Sequence, residues 1–221
     1  MEKNNITEIV FIIDKSGSMC GLEADTIGGF NSMIAKQKEE NAGEAFVTTI
    51  LFDTAQKMVH DRLPLENVPE MTGKDYCPGG CTALLDALGD TIRHISKIHR
   101  YGRKEDVPAK TVFVITTDGM ENSSRRYSSD EVRAMIRKEK EKYGWEFLFL
   151  GANIDAVETA ARVGIGADRA VRYHNDRRGV ALNYDTVNIA VGRMRACAPV
   201  SANWKEAIEA DYAGREANSD I

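Results

Sequence analysis

Apolar and polar positions alternate in blocks along this chain, and two apolar blocks are followed at once by acidic segments. Five apolar residues at positions 9–13 run directly into Asp14. A run of this kind is typical of a strand buried on both faces, as in the centre of a parallel sheet. Residues 110–117 repeat the pattern, because they are rich in β-branched side chains and are followed by Asp118. The sequence therefore predicts two central strands with acidic residues at their carboxyl ends.

Apolar residues at helical spacing separate the predicted strands. This alternation favours an α/β fold: a doubly wound, Rossmann-like, mostly parallel sheet of about six strands with helices on both faces. Residues 56–63 follow the strand 44–52 after a tight turn, so we expect them to form one antiparallel edge strand. Further strands are predicted at 145–150 and 170–173. Helices are predicted over 25–40, 82–98, 128–143, 155–163 and 183–196.

The length of 221 residues and the 43% hydrophobic content suit one α/β domain with a short addition. We expect residues 1–198 to form the domain and residues 199–221 to form a C-terminal helical and polar tail. Trp204 and Tyr212 can supply a short helix that docks through Trp204, followed by a polar, frayed end. The alternative interpretation is a tail that binds a partner.

Charge and cysteine content narrow the function classes. Thirty-four acidic and 29 basic residues give a formal net charge of −5, and no Lys/Arg block is present, which argues against nucleic-acid binding. No apolar run approaches the ~18 residues that a membrane span needs, and no signal segment precedes the first strand. Four cysteines without a secretory signal are typical of reduced thiols. We therefore expect a cytoplasmic protein that binds neither nucleic acid nor membranes.

The first acidic segment has the chemistry of a metal-binding loop. Asp14, Ser16 and Ser18 alternate along one loop at the carboxyl end of a predicted strand, where α/β sheets bind ligands. One carboxylate and two hydroxyls present hard oxygens, which suit Mg²⁺ or Mn²⁺. The alternative is an ordinary turn in which Asp14 caps the following helix.

Two further segments favour the metal interpretation. Thr82 follows Gly79-Gly80-Cys81 at the start of a predicted helix, and Asp118 lies in Thr117-Asp118-Gly119 after a second buried strand. Together with Asp-x-Ser-x-Ser, this combination resembles the metal-ion-dependent adhesion site (MIDAS) of a von Willebrand factor A (VWA) domain, of a bacterial, intracellular type. The resemblance covers about residues 5–195, and the fold of that family is the one the alternation of elements predicts.

The resemblance also implies a role for each residue of the motif. Ser16 and Ser18 would ligate Mg²⁺ or Mn²⁺ directly, and Thr82 directly or through water. Asp14 and Asp118 would act through bound water. The ion then keeps an open position that an Asp or Glu of a protein partner can fill. The function implied is a non-enzymatic, metal-dependent protein-binding module.

Other function classes stay open at this point. The chain could be the regulatory subunit of an ATPase or of another enzyme complex, or a weak metal-dependent hydrolase. No Gly-x-Ser-x-Gly elbow and no Gly-x-x-x-x-Gly-Lys-Ser/Thr loop is present, which argues against common hydrolase and nucleotide-binding motifs. The sequence identifies neither the partner nor the oligomeric state.

Several polar residues have weaker interpretations. We expect Lys15 to be exposed, and Asp53 either to support the metal loop or to serve its turn. Glu121 and Asn122 either influence partner choice or cap a helix. The remaining candidates are the histidines, expected to be surface or satisfied residues, and three cysteines, expected to be partly buried and inert or else to form a redox-sensitive loop. These are His60, His94, His99, His174, Cys20, Cys77 and Cys81.

Overall fold

A computed structural model describes residues 5–40, 42–152 and 154–219. Some residues of the sequence analysis lie outside the described ranges. They are residues 1–4 before the first strand, Asn153, and the last two residues of the predicted tail. Six strands form one sheet in the order β3-β2-β1-β4-β5-β6, in which only β3 runs antiparallel to its neighbour. The strands are β1 (Thr7–Asp14), β2 (Ala45–Phe52), β3 (Gln56–Pro64), β4 (Lys110–Thr117), β5 (Glu146–Ala152) and β6 (Ala170–Tyr173).

Helices cover both faces of the sheet, which confirms the predicted fold class. Side chains of β1 alternate between the two faces, because successive residues of a strand point in opposite directions. The helices are α1 (Glu23–Glu39), α2 (Leu84–Tyr101), α3 (Ser129–Tyr143), α4 (Ala156–Arg162), α5 (Arg177–Arg195) and α6 (Glu206–Ser219). Phe11 packs in the core under α1, α5 and α6, whereas Ile12 packs in the core under α2, α3 and α4. No helix in the described ranges combines the length and apolar character needed to cross a membrane.

Helix starts follow the capping chemistry of the sequence. α3 begins with a capping box, in which the Ser128 N–H donates to Glu131 Oε2 (2.8 Å) and the Glu131 N–H donates to Ser128 Oγ (3.3 Å). α5 begins six residues before the predicted start at Asn183, because Asp176 caps it by accepting the Gly179 N–H (2.8 Å).

The C-terminal tail is more regular than the sequence analysis expected. Trp204 docks as predicted, with its indole N–H donating to the Asp168 carbonyl (2.8 Å). The end is polar as predicted, but the prediction that it is frayed is wrong within the described residues, since α6 continues through Gly214 to its end at Ser219. Tyr212 stacks on His174 with ring centroids 4.3 Å apart, so α6 contacts the segment that follows β6.

The long connection between β3 and α2 is packed into the core. Leu65, Val68, Met71 and Tyr76 are all buried in it. The Tyr76 hydroxyl donates to the Asp14 backbone carbonyl (2.7 Å), which ties the connection to the end of β1. This loop therefore reaches the carboxyl edge of the sheet in a fixed position.

Candidate metal-binding site

The three motif segments meet at the carboxyl ends of β1 and β4, which are neighbours in the sheet. Ser16 Oγ lies 3.2 Å from Ser18 Oγ, and the Ser18 hydroxyl donates to Asp118 Oδ1 (2.6 Å). Thr82 faces Gly119, where a Cβ would lie 2.8 Å from Thr82 Oγ1 and 3.8 Å from Ser18 Oγ. Gly119 therefore lets Thr82 approach the backbone of the third motif segment more closely than a residue with a Cβ would. The oxygens of the predicted site residues share this small region.

Asp14 is held by two hydrogen bonds from neutral donors. The Ser16 N–H donates to Oδ1 (2.7 Å), and the Thr117 hydroxyl donates to Oδ2 (2.6 Å). The first bond makes the loop turn back over the carboxylate directly after the strand ends. Thr117, the last residue of β4, supports Asp14 from the neighbouring strand, a role that the sequence analysis missed.

Lys15 is not exposed, contrary to the sequence-based expectation. Its side chain is only 15% exposed, and its ammonium group forms an ion pair with the Asp53 carboxylate. Asp53 also accepts the Ala55 N–H (2.7 Å), so it serves its own turn as well. The ion pair places Asp53 beside the metal loop, where it fixes the stem of that loop without contacting the predicted ligands Ser16 and Ser18.

Backbone hydrogen bonds deliver Thr82 to the site. The Gly79 N–H donates to the Lys15 carbonyl (2.8 Å), and the Gly17 N–H donates to the Gly80 carbonyl (3.2 Å). Gly80 adopts φ +71°, a left-handed conformation that glycine tolerates best. Thr82 was predicted to start α2, but it precedes the helix by two residues. Its backbone contacts Asn122 in the β4–α3 connection. The Thr82 N–H donates to Asn122 Oδ1 (3.0 Å), and the Asn122 N–H donates to the Thr82 carbonyl (3.1 Å).

Glu121 acts as a cap, one of the two interpretations that the sequence allowed. Its carboxylate accepts the Leu85 N–H (2.9 Å) at the first turn of α2, and it also accepts the Ser124 N–H (2.7 Å) of its own loop. The capped helix is therefore α2 and not the helix that follows Glu121 in sequence. Glu121 and Asn122 together join the second and third motif segments.

Burial sets the electrostatics of the two aspartates. Asp14 is 1% exposed, and burial raises its pKa, against the opposing effect of the bonds from Ser16 and Thr117. Burial also raises the pKa of Asp118, with a further rise caused by the nearby charge of Asp14 and an opposing effect of the bond from Ser18. Neither aspartate forms an ion pair within the part of the chain that the structure describes. Two buried carboxylates thus lie at this edge without an ion-pair partner of their own among the described residues, since Lys15 pairs with Asp53.

The remaining candidates are the four histidines, which contact residues outside the motif, and three cysteines, which are free thiols. Each histidine has a partner elsewhere: His60 contacts Thr49, His94 contacts Asp61, His99 contacts Glu8 and His174 contacts Tyr212. Cys20, Cys77 and Cys81 are exposed free thiols, so the expectation that they are partly buried is wrong, and the redox-sensitive loop stays a prediction. No group of three or more His, Cys, Asp or Glu residues in the described ranges could hold a metal.

Sequence reasoning missed one further residue that contacts the site. Asn175 follows β6, and its Nδ2 donates to Asp118 Oδ2 (2.7 Å). A signal was available, since a polar residue directly after a predicted strand of the same parallel sheet belongs to the same edge. Because β5 lies between β4 and β6, a shared edge alone does not indicate that Asn175 contacts Asp118.

Comparisons with known proteins give likeness at the level of structure. A scan against protein-family models and a search of curated proteins give no match. Among solved structures, the PilB minor pilin from Streptococcus sanguinis is similar with a TM-score of 0.61 at 12% identity, over 88% of this chain and 63% of that chain. Proximal thread matrix protein 1 from the mussel byssus, in a structure with a zinc-occupied MIDAS motif, gives a TM-score of 0.55 at 14% identity, over 86% and 47%.

A third similar structure carries the name of the family that the motif resembles. A von Willebrand factor type A protein from Catenulispora acidiphila gives a TM-score of 0.54 at 15% identity. It is matched over 86% of this chain and 42% of that chain, so the chain spans between 42% and 63% of the structures it resembles here. At such identities the likeness concerns the fold alone. The chain has the fold of a von Willebrand factor A domain.

Proposed function

We propose that this chain is a non-enzymatic binding module that holds Mg²⁺ or Mn²⁺ at the carboxyl edge of its sheet and binds a carboxylate of a protein partner through that ion. One observation carries the proposal. Asp14 and Asp118 are buried carboxylates that receive hydrogen bonds only from neutral donors, and they lie beside the hydroxyls of the two motif serines. Burying charge without a counter-charge is costly, so this edge favours an added cation.

The donor set fits a small, hard divalent ion. Ser16, Ser18 and Thr82 would hold it with hydroxyl oxygens, and Asp14 and Asp118 would supply negative charge close by. Oxygen donors favour Mg²⁺ or Mn²⁺ over softer metals. Gly119 has no Cβ that would crowd Thr82 Oγ1, and Ser18 is exposed, which opens the site to solvent. The zinc-occupied MIDAS of the byssus protein supports a divalent cation at this position of the fold.

When bound, the ion supplies a positive centre that a carboxylate can bind. The chain's own net charge of −5 disfavours the approach of an acidic partner, so the attraction depends on the cation. Met120, two residues beyond Asp118, exposes 72% of its surface at this edge. An exposed methionine next to an oxygen-rich site supports a protein or peptide ligand, because it offers an adaptable apolar contact around the acid.

The described histidines give no support to the hydrolase alternative. A serine nucleophile needs a base within hydrogen-bond reach, and the described histidines contact groups other than Ser16 and Ser18. The serine hydroxyls contact each other and Asp118 instead. The proposal therefore keeps the chain as a binding module, and a role as a subunit of a larger enzyme complex is compatible with it.

Metal binding is tested first, by thermal unfolding and calorimetric titration with Mg²⁺ and Mn²⁺. A ligand at one hundred times its Kd should stabilise the folded state by about 2.7 kcal/mol. Ser16→Ala and Asp118→Ala should each remove this increment. Ser96→Ala is the matched control, since the Ser96 hydroxyl donates to Glu139 on α3, outside the motif. An equal metal-induced shift in all four proteins would contradict the site.

Carboxylate binding is tested on the Mn²⁺-loaded protein by water-proton relaxation. N-acetyl-aspartate amide should lower the relaxation enhancement as its carboxylate replaces bound water, and N-acetyl-asparagine amide, its uncharged counterpart, should not. Equal effects of the two compounds, or none from either at millimolar concentration, would contradict the open coordination position.

A further inference from the structure

Asn175 adds a fourth segment to the metal edge. It lies in the connection from β6 to α5, whereas the motif residues come from three other segments of the chain. Its Nδ2 donates to Asp118 Oδ2 (2.7 Å), and the Ser18 hydroxyl donates to the other oxygen of the same carboxylate (2.6 Å). The plane of the Asp118 carboxylate is therefore fixed from two sides.

The orientation of the Asn175 amide follows from its partner. An ionised carboxylate only accepts hydrogen bonds, so the NH₂ group must face Asp118. The amide oxygen then points away from Asp118, and Oδ1 is buried without a hydrogen-bond partner in the structure. A buried amide that leaves one end unsatisfied is unfavourable by itself. Among the described residues, the bond to Asp118 is the side-chain hydrogen bond that Asn175 makes, so it is the contact that holds the amide in place.

The residues on both sides of Asn175 are anchored by α6. The carboxylate of Asp176 forms an ion pair with Arg215, and it also caps α5 through the Gly179 N–H (2.8 Å). The ring of His174 stacks on Tyr212, with an interplanar angle of 11°. These contacts leave the backbone at Asn175 little freedom, so the amide meets Asp118 in a defined position.

We propose that Asn175 is a positioning residue of the metal site, which orients the Asp118 carboxylate while α6 holds its segment in place. The inference rests on the proposed function, because it assigns Asn175 a role toward the same divalent ion. Residues that orient a metal-binding group influence affinity without touching the metal, because they hold that group in its binding geometry.

The test measures Mn²⁺ affinity of the full chain by calorimetry, with folding checked by circular dichroism. Asn175→Leu keeps the approximate shape and removes the donor, and it should weaken Mn²⁺ binding about tenfold. Asn175→Gln keeps an amide donor and should recover part of the loss. Asn67→Leu is the matched control and should bind as the wild type does, since Asn67 is exposed on the turn Leu65–Asn67, outside the motif segments.

A spectroscopic measurement separates positioning from general destabilisation. At saturating Mn²⁺, the electron paramagnetic resonance spectrum of Asn175→Leu should differ from that of the wild type, because the Asp118 carboxylate is reoriented. Arg215→Gln, which loosens the anchor from α6, should shift affinity in the same direction by a smaller factor. Arg162→Gln removes a comparable arginine pair with Glu158 on α4 and should leave affinity unchanged.

The outcomes distinguish the two proposals. If the wild type binds no Mn²⁺, the proposed function fails and this inference with it. If Ser16→Ala abolishes binding while Asn175→Leu binds with wild-type affinity and spectrum, the function stands and the role of Asn175 is overturned. Equal losses in the leucine and glutamine variants would also overturn it, since the donor would then be irrelevant. If the leucine variant does not fold, Asn175→Ala takes its place under the same criteria.

Discussion

The two ends of β1 each bury an acidic residue, and they treat it differently. Glu8, near the amino end, is 0% exposed, and its carboxylate accepts from Arg62 Nε (2.7 Å) with His99 Nε2 at 3.3 Å from the same oxygen. Asp14, at the carboxyl end, is 1% exposed and receives hydrogen bonds from neutral groups, among them the Ser16 N–H and the Thr117 hydroxyl. Among the described residues, Glu8 has a positively charged partner and Asp14 has none.

This difference distinguishes an acid with a counter-charge inside the fold from an acid of the proposed metal site. Glu8 pairs with Arg62 through Oε2, so its counter-charge comes from the fold, although its Oε1 is buried without a hydrogen-bond partner among the described residues. Asp14 and its neighbour Asp118 are stabilised by dipoles alone, and burial raises the pKa of both. A perturbed pair of acids at a ligand-binding edge is a typical sign of a functional site. The comparison predicts opposite responses to substitution at the two ends of the strand.

The largest effect on stability is expected at the amino end of β1, where Arg62 pairs with Glu8. Arg62→Leu should lower the free energy of unfolding by about 3 kcal/mol, because it leaves the Glu8 carboxylate buried without its arginine. Mn²⁺ affinity should not change, since Arg62 pairs at the other end of β1. Urea denaturation and calorimetry measure the two quantities. The double variant Glu8→Gln/Arg62→Leu should recover part of the loss, and a single-variant loss below about 0.5 kcal/mol, the size of an ordinary surface change, would contradict the comparison.

Asp14→Asn should change the free energy of unfolding in the opposite direction, when it is measured in EDTA. The variant should be more stable than the metal-free wild type at neutral pH, because it removes a buried charge whose pKa is raised by burial. The asparagine oxygen can still accept the Ser16 N–H, and its NH₂ group can donate to Thr117. The variant should also lose the Mg²⁺-induced increment. Destabilisation of the metal-free variant would show that Asp14 is already well satisfied without a cation.

The pH dependence of this difference sharpens the same point. The pKa of folded Asp14 is raised above its ordinary value of 3.8, so proton binding favours the folded state. That contribution is fully present below pH 3.8 and is lost as pH rises through the higher, folded-state pKa. The stability advantage of Asp14→Asn over the wild type should therefore grow with pH across this interval and then level off. Urea denaturation in EDTA from pH 4 to 7 measures it, and a constant difference would contradict the burial effect.

The smallest effect is expected for an exposed ion pair. Lys36 and Asp185 join α1 to α5 with side chains that are 47% and 61% exposed. Lys36→Ala should change the free energy of unfolding by less than about 1 kcal/mol, since solvent screens such pairs. Urea denaturation at low and high salt measures it. A loss as large as that of Arg62→Leu would show that pairing, and not burial, sets the contrast between the ends of β1.

Local chemistry explains what the sequence analysis anticipated. The bounds of β4 and β6 agree with the prediction, because polar or turn-forming residues flank short β-rich runs. The predicted site residues lie together, since their segments end strands or begin helices at one edge. Their role as metal ligands stays a prediction.

Contacts between distant segments explain what was missed. Lys15 is surrounded by polar residues in sequence, and only the fold brings Asp53, 38 positions away, against it. Asn175 meets Asp118 across 57 positions, and its place after a predicted strand indicates the shared edge but not this contact. The first turn of α5 has Gly179 and two arginines, which hide its helical periodicity, although Asp176 offered a cap signal.

The Tyr76 hydroxyl bond to the end of β1 has a consequence for the entropy of ligand binding. Residues 65–83 would be costly to order if they became fixed only when an ion arrived. Their buried side chains are instead ordered when the chain folds, so Thr82 is already in place. An ion that enters meets preorganised oxygens, and little conformational freedom is left for it to remove.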